Sequence, residues 1–337
     1  VMAGSVAALE VFAPGLQTTI QDSPGRIGLQ SRGFFPAGPA DDLGFRVANA
    51  LVGNDPAAAA LEITAGRCEF GVVTDTVLAV TGADGAEITC NGRTLPMWQT
   101  VLVPAGAVIA IAAVRGPGFR LYLAVAGGID VPVVIGSRAT YTVGGIGGIE
   151  GRPLMRGDVV RRFAASARSA RRVPQDLRPV LTDTWEIEVM RGPHADDGLL
   201  TEEDWEDFLT RRWKVDLSSD RGGVRLNPHR FRWARPSGGV AGGHPSNILD
   251  GQFPLGGIAA HGDVLVILGP DGPTSDGFCV IATVVAAGRW KTGQARPGRD
   301  VIRFREVSLD EALTLAERVE YATHPEHYDV LPNHHVG

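Results

Sequence analysis

Cysteine is scarce in this chain, with Cys68, Cys90 and Cys279 as the three in 337 residues. The odd count and the lack of any C-x-x-C spacing disfavour a disulfide framework, and a reducing cytoplasm is the expected setting. Positive charge is in short supply too. Lys plus Arg number 32 against 38 Asp plus Glu, a formal net charge of −6, which argues against nucleic acid as a partner. The clearest basic cluster, Arg161-Arg162 to Arg171-Arg172, sits where the chain reads as a linker. Long apolar runs are missing. Val101 to Val114 is broken by Pro104 and Gly106 and falls short of a membrane span, so no membrane is expected. The first residues carry no basic stretch before an apolar core, and no signal peptide is expected.

Motifs of the common standalone enzymes are also lacking. There is no G-x-x-x-x-G-K-[ST], no G-x-S-x-G and no H-E-x-x-H. The Gly144-Gly145-Ile146-Gly147-Gly148 run lacks dinucleotide spacing and precedes no helix. Chemistry, if present, is expected to be shared with another chain.

What the chain does have is glycine and proline, 44 and 22 residues, in a pattern of many short strands and turns. Residues 9–163 read as a first β domain, 164–179 as a linker, 180–320 as a second β domain and 321–337 as a tail. Asn91-Gly92 signals a hairpin. Leu43, Val47 and Leu51 mark one helix from Asp41 to Val52, with Asp41 or Asp42 as cap. A second helix is expected from Thr201 to Trp213, with Trp205, Phe208 and Leu209 inward, and a late helix from the Ser308/Glu311 capping box. Gly157-Asp158-Val159-Val160 is faintly echoed by Arg299-Asp300-Val301-Ile302. The tail, with His324, His327, His334 and His335, looks poorly packed, and no metal site is assigned there.

The most informative stretch is Gly15 to Gly28, G-L-Q-T-T-I-Q-D-S-P-G-R-I-G. As a strand it places Leu16, Thr18 and Ile20 on one face and Gln17, Thr19 and Gln21 on the other. That second face, amide, hydroxyl and amide, runs into Asp22 and a Ser-Pro-Gly turn, with Arg26 at its mouth. Uncharged donors and acceptors of this kind suit a small, neutral, amide-like ligand. A solvated edge strand is the plainer alternative.

From about Leu9 to Leu315 the chain resembles the allophanate hydrolase subunit 2 family, also described as biotin-dependent carboxyltransferase-like proteins and as the C subunit of 5-oxoprolinase. The resemblance rests on Gly15 to Asp22 with Gly25-Arg26-Ile27-Gly28, then Gly38-Pro39-Ala40-Asp41, Leu61-Glu62, Gly127 to Pro132 and Gly136 to Thr140. Ser219-Asp220-Arg221, the Asp271 to Phe278 loop and Gln294 with Pro297-Gly298 continue it. Two departures stand out: Gly256-Gly257-Ile258-Ala259 where the family commonly reads G-A-I-Q, and Thr274-Ser275-Asp276-Gly277-Phe278-Cys279 in place of T-T-G-G-Y-P.

The resemblance implies a mainly β protein with two cyclophilin-like barrel halves and a few short helices. It implies a subunit that pairs, as a heterotetramer, with an allophanate hydrolase subunit 1 homologue (the B subunit of 5-oxoprolinase) and works with a LamB/YcsF-type A subunit. The reaction implied is ATP-dependent opening of 5-oxoproline to glutamate, with ATP and magnesium held by the assembled complex. A biotin-dependent carboxyltransferase half acting on urea is the alternative, with biotin arriving on a separate protein, because this chain has no A-M-K-M motif. A third reading is a regulatory protein that captures a kinase inhibitor. Candidate bases are Asp22, Asp41 and Glu62, although a helix cap is the favoured role for Asp41, and Glu62 invites an arginine partner. Gln17, Thr19, Gln21, Arg26, Arg138, Arg221 and Thr274 are the candidate substrate contacts, with internal ion pairs the alternative for Arg138 and Arg221.

Overall fold

The computed structural model describes residues 4–165, 169–196 and 198–332. The protein is mainly β, as expected, and it divides into two units. The first comprises residues through Arg26, Ala37–Leu181 and the segment from Val319 on; the second comprises Ile27–Pro36 and Thr182–Arg318.

In the first unit two antiparallel sheets share one apolar core. One runs in the order Val159–Arg162, Val6–Pro14, Cys68–Val72, Val108–Ile111, Ile88–Cys90, Arg93–Thr94. The other runs Gln17–Gln21, Ala60–Thr64, Arg120–Val125, Thr76–Gly82, Val101–Val103. Period-two alternation sends Leu9, Val11, Phe70 and Ile109 from the first sheet, and Ile20, Leu61, Ile63, Leu121 and Leu123 from the second, into the same cluster. The chain crosses between the sheets at Gly15, whose φ of +73° belongs to the left-handed region. The Asn91-Gly92 hairpin forms as expected, joining Ile88–Cys90 to Arg93–Thr94.

The second unit is built on one seven-stranded sheet. Its order is Trp213–Lys214, Val301–Glu306, Thr184–Arg191, Val280–Val284, Gly257–His261, Val264–Leu268, Gly223–Arg225. Thr184–Arg191 and Val301–Glu306 pair parallel; the other neighbours are antiparallel. A two-stranded ribbon, Asn247–Gln252 with Ser275–Phe278, stands beside it. Each sheet is open, and no closed barrel is found among the described residues, so the expected barrel halves are not confirmed.

The helices follow their caps. Asp41 Oδ1 accepts from Gly44 N at 2.8 Å and opens the helix Asp42–Leu51. Thr201 caps Glu202–Thr210, which buries Trp205 and Phe208. That helix ends short of the expected Trp213, because Arg211 turns extended and Trp213 enters a strand opposite Ile302. Glu311 N donates to Ser308 Oγ at 3.2 Å at the start of Leu309–Thr323. None of the described helices is long and apolar enough to cross a membrane.

Three boundaries differ from the sequence reading. The linker is partly structured, since Arg171–Arg172 pairs antiparallel with Asp329–Val330 and Val173 is fully buried. The tail is therefore partly packed: Tyr328 is buried and Leu331 N donates to Ala170 O, while just before it Arg46 pairs with Glu320. His334 and His335 lie outside the described residues. Finally, Ile27–Pro36 belongs to the second unit, where Phe35 is buried and Gln30 Nε2 donates to Phe253 O. The two echoed Asp-Val segments do share a local role. Asp158 and Asp300 each precede a strand and are held by an arginine, Arg152 and Arg296, although one strand pairs antiparallel and the other parallel.

A Cβ at Gly15 would sit 2.6 Å from the Gly66 carbonyl oxygen as well as straining the backbone. Gly15→Ala is expected to cost the first unit about 2–4 kcal/mol, read as a lowered denaturation midpoint. An unchanged midpoint would show that the sheet crossing tolerates a different turn.

Candidate functional site

The alternation read from Gly15 to Gln21 is kept along the strand, but its polar face is buried at Thr19 and Gln21 and half-buried at Gln17, while Leu16 opposite is exposed. Gln17, Thr19 and Gln21 register opposite Thr64, Glu62 and Ala60. Tyr122 then pairs with Glu62, and Thr81 with Tyr122. One face of the five-stranded sheet thus carries Gln17, Thr19, Gln21, Glu62, Arg120, Tyr122 and Thr81. The helix Asp42–Leu51 covers it: Thr81 Oγ1 donates to Gly44 O at 2.7 Å, and Phe45 meets Tyr122 edge to face at 5.9 Å.

Such a face is stable only if its buried groups are satisfied. Glu62 Oε2 accepts from Ala40 N at 2.8 Å and from the Tyr122 hydroxyl at 2.9 Å. Arg120 Nε stands 3.6 Å from Glu62 Oε1, both side chains being buried, which supplies the arginine partner the sequence invited. The Tyr122 oxygen in turn accepts from Asp41 N at 2.8 Å. Two of the three candidate bases, Asp41 and Glu62, therefore meet at one tyrosine and fix the helix start. Burial first, then the Glu62 and Asp41 charges, hold the Tyr122 hydroxyl well above its ordinary pKa.

The third, Asp22, organises a loop. Its carboxylate accepts from Ser137 Oγ at 2.5 Å, Arg138 N at 2.6 Å and Ala139 N at 3.1 Å. Gln21 Nε2 donates to Thr19 Oγ1 and to Thr140 O, tying the same loop to the strand. Arg26 is buried with Nε donating to Val134 O at 3.1 Å. Arg138 Nε donates to Val131 O, and its guanidinium lies over the Phe163 ring. The structure therefore gathers Gln21, Asp22, Arg26 and Arg138 around residues 131–140.

Arg221 and Thr274 belong to the second unit. Arg221 is buried in a two-pronged pair with Asp271, Nε to Oδ2 at 2.8 Å and Nη2 to Oδ1 at 2.9 Å, so the ion-pair alternative is what forms. Thr274 is half-buried, and its carbonyl accepts from Phe253 N.

Two cavities lie away from these residues. One, of about 290 Å³ on the first unit, is lined by Arg67, Cys68, Glu69 and Glu87 among others. Burial pushes the Cys68 thiol up to about 12, so it offers no thiolate at neutral pH. The other, of about 400 Å³ on the second unit, is lined by Arg230, Arg232, Arg235, Trp233, His244 and Asp263 among others. His244 Nδ1 accepts from Ser246 N at 3.1 Å, which places the ring proton on Nε2, 3.3 Å from Asp263 Oδ1. Neither cavity is lined by Gln17, Thr19 or Gln21. The sequence reading missed the second cavity altogether. Its signal was the Gly-rich stretch Gly242-Gly243-His244-Pro245-Ser246-Asn247 next to Arg-Phe-Arg-Trp-Ala-Arg at 230–235.

The family model for the carboxyltransferase domain, subdomain A and B, matches residues 32–306. The chain belongs to this family. Urea amidolyase of Saccharomyces cerevisiae is 40% identical over 94% of this chain and 17% of its own length. The crystal structure of the K. lactis urea amidolyase superposes with a TM-score of 0.90 at 39% identity, over 94% of this chain and 20% of that one. The 5-oxoprolinase C subunit of Escherichia coli is 32% identical over 90% of this chain and 93% of its own. The chain thus spans about a fifth or less of the urea amidolyases it matches and nearly all of the E. coli protein.

Tyr122→Phe removes the donor to Glu62 and the acceptor of Asp41 N–H, and is expected to cost about 1–3 kcal/mol. A pH dependence accompanies it. The unfolded tyrosine ionises near 10.0, and the folded one well above that. Its stabilisation is intact below pH 10 and is lost as pH rises toward the folded value, by about 1.4 kcal/mol per pH unit. Alkaline denaturation of the variant should lose that slope, leaving the parts due to Tyr328 and to the Cys68 and Cys279 thiols, whose ionisation burial also raises. Identical alkaline profiles would contradict the network.

Proposed function

We propose that this chain is the A/B portion of a biotin-dependent carboxyltransferase acting on urea or a comparably small amide. The observation that carries this reading is the gradient of similarity, 40% identity to a urea amidolyase against 32% to a 5-oxoprolinase component. The fold agrees in direction, with a TM-score of 0.90 to the K. lactis enzyme. A carboxylated biotin on a separate carrier protein would supply the group transferred. On this chain, the cationic second-unit cavity has the donor chemistry that a carboxylate requires. The first unit's polar sheet face acts as scaffold: Glu62 and Asp41 set the helix, and Asp22 sets the 136–140 loop.

Among the described residues no group of three or more His, Cys, Asp or Glu side chains converges as a metal site. In this reading ATP and magnesium act in the assembled complex. A second reading is one component of an ATP-dependent 5-oxoprolinase, working with homologues of its B and A subunits. What favours it is coverage, since the match spans 93% of the E. coli protein.

One experiment separates the two. The chain is assembled with its allophanate hydrolase subunit 1 homologue and supplied in parallel with biotin carboxylase and biotinylated carrier, or with a LamB/YcsF-type protein. Urea-dependent incorporation of labelled bicarbonate is the expected result. ADP release driven by 5-oxoproline, without urea-dependent incorporation, would overturn the carboxyltransferase reading in favour of the second.

A further inference from the structure

We propose that the second-unit cavity is a binding site for a small organic carboxylate that also carries an N–H group. Three arginines, Arg230, Arg232 and Arg235, line it together with one acidic residue, Asp263. Arg235 is committed to the wall, with Nε donating to Pro245 O at 2.8 Å. Arg230 and Arg232 are exposed, and neither forms an ion pair with a described residue. Their forks are available for planar two-point recognition of a carboxylate.

Trp233 supplies the second, independent observation. It lines the cavity at 7% exposure, and its indole Nε1 is buried with no hydrogen-bond partner. An unsatisfied buried donor costs about 1–3 kcal/mol, a cost that an acceptor on a ligand would relieve once a small shift of the wall uncovers Nε1, which is closed to solvent in the free chain. Its placement is also enforced against backbone preference. Trp233 has φ +60°, and the buried Asp204 holds it there by accepting from Arg232 N at 2.9 Å and Trp233 N at 2.8 Å. The ring is fixed edge-on between Phe231 and His244, at 5.7 and 5.9 Å.

The remaining wall narrows the ligand. Phe231 and Trp233 give the cavity aromatic surface, which suits an organic body better than a bare inorganic anion. Asp263 is half-exposed and accepts from His244, and its outer lone pairs face solvent as the acceptor for a ligand N–H. Asp204 lies behind the wall with both oxygens engaged by backbone N–H groups, so the accessible field of the cavity is positive. The assignment deepens the carboxyltransferase reading, on which it rests for giving this cavity to a carboxylate, and a binding measurement fails separately from a turnover measurement.

The test uses the full chain with 15N-labelled tryptophan and three probes: N-acetylglycine, its neutral amide N-acetylglycinamide, and inorganic phosphate. The Trp233 indole resonance is identified as the one missing in Trp233→Phe. N-acetylglycine should shift that resonance saturably, while the neutral amide should not. Arg230→Gln and Arg232→Gln, both at exposed positions, should each weaken binding by about tenfold or more without changing the far-UV circular dichroism. No saturable shift with N-acetylglycine, or equal affinity in both arginine variants, would overturn the site. Binding of phosphate alone would overturn the organic-carboxylate assignment.

Discussion

A polar sheet face buried under a helix is the constraint on which the first unit depends. A five-stranded sheet with apolar residues on both faces could pack its helix by area alone. This one instead carries Glu62, Arg120, Tyr122, Thr81, Thr19 and Gln21 on the covered side, and every such group needs a partner in place of water. The Tyr122 hydroxyl joins the sheet to the helix cap, so the register of three strands and the start of Asp42–Leu51 are set together. Removing one member leaves charge stranded in the interior, which is costlier than losing equivalent apolar contact.

That arrangement changes what the candidate residues mean. Carboxylates that look like general bases in sequence become structural when both oxygens are already engaged. Asp22 is the clearest case, because it accepts from one side chain and two backbone donors and so shapes the 136–140 loop. Arg221 and Asp271 do the same for the second unit. Chemistry requires groups with spare capacity, and among the described residues these include Trp233 Nε1, beside Arg230, Arg232 and Asp263, and Gln21 Oε1 on the buried sheet face.

Much of the local structure was legible from residue order. Asp41 as a cap, the Ser308/Glu311 capping box, Asn91-Gly92 as a hairpin and the alternation of Gln17, Thr19 and Gln21 depend on neighbours within a few positions. What covers that alternating face was not legible. Gln21 meets Thr140, Arg171–Arg172 pairs with Asp329–Val330, and Arg221 finds Asp271, and no spacing rule encodes contacts at such separations. The second cavity was hidden for another reason. Arginines in a Gly-rich loop resemble a solvated surface until the fold brings Trp233 and Asp263 beside them. The family was legible because its motifs recur in order along both halves, whereas the substrate was not, since the same scaffold serves relatives with different names.

Amide hydrogen exchange on the whole chain, free and saturated with N-acetylglycine, tests the central claim most directly. The account predicts ligand-dependent protection confined to residues 229–247 and 262–264, with the Gln17–Gln21 strand exchanging slowly and identically in both states. Ligand-dependent protection at Gln17–Gln21 and Ala40–Gly44, with none around Trp233, would contradict it.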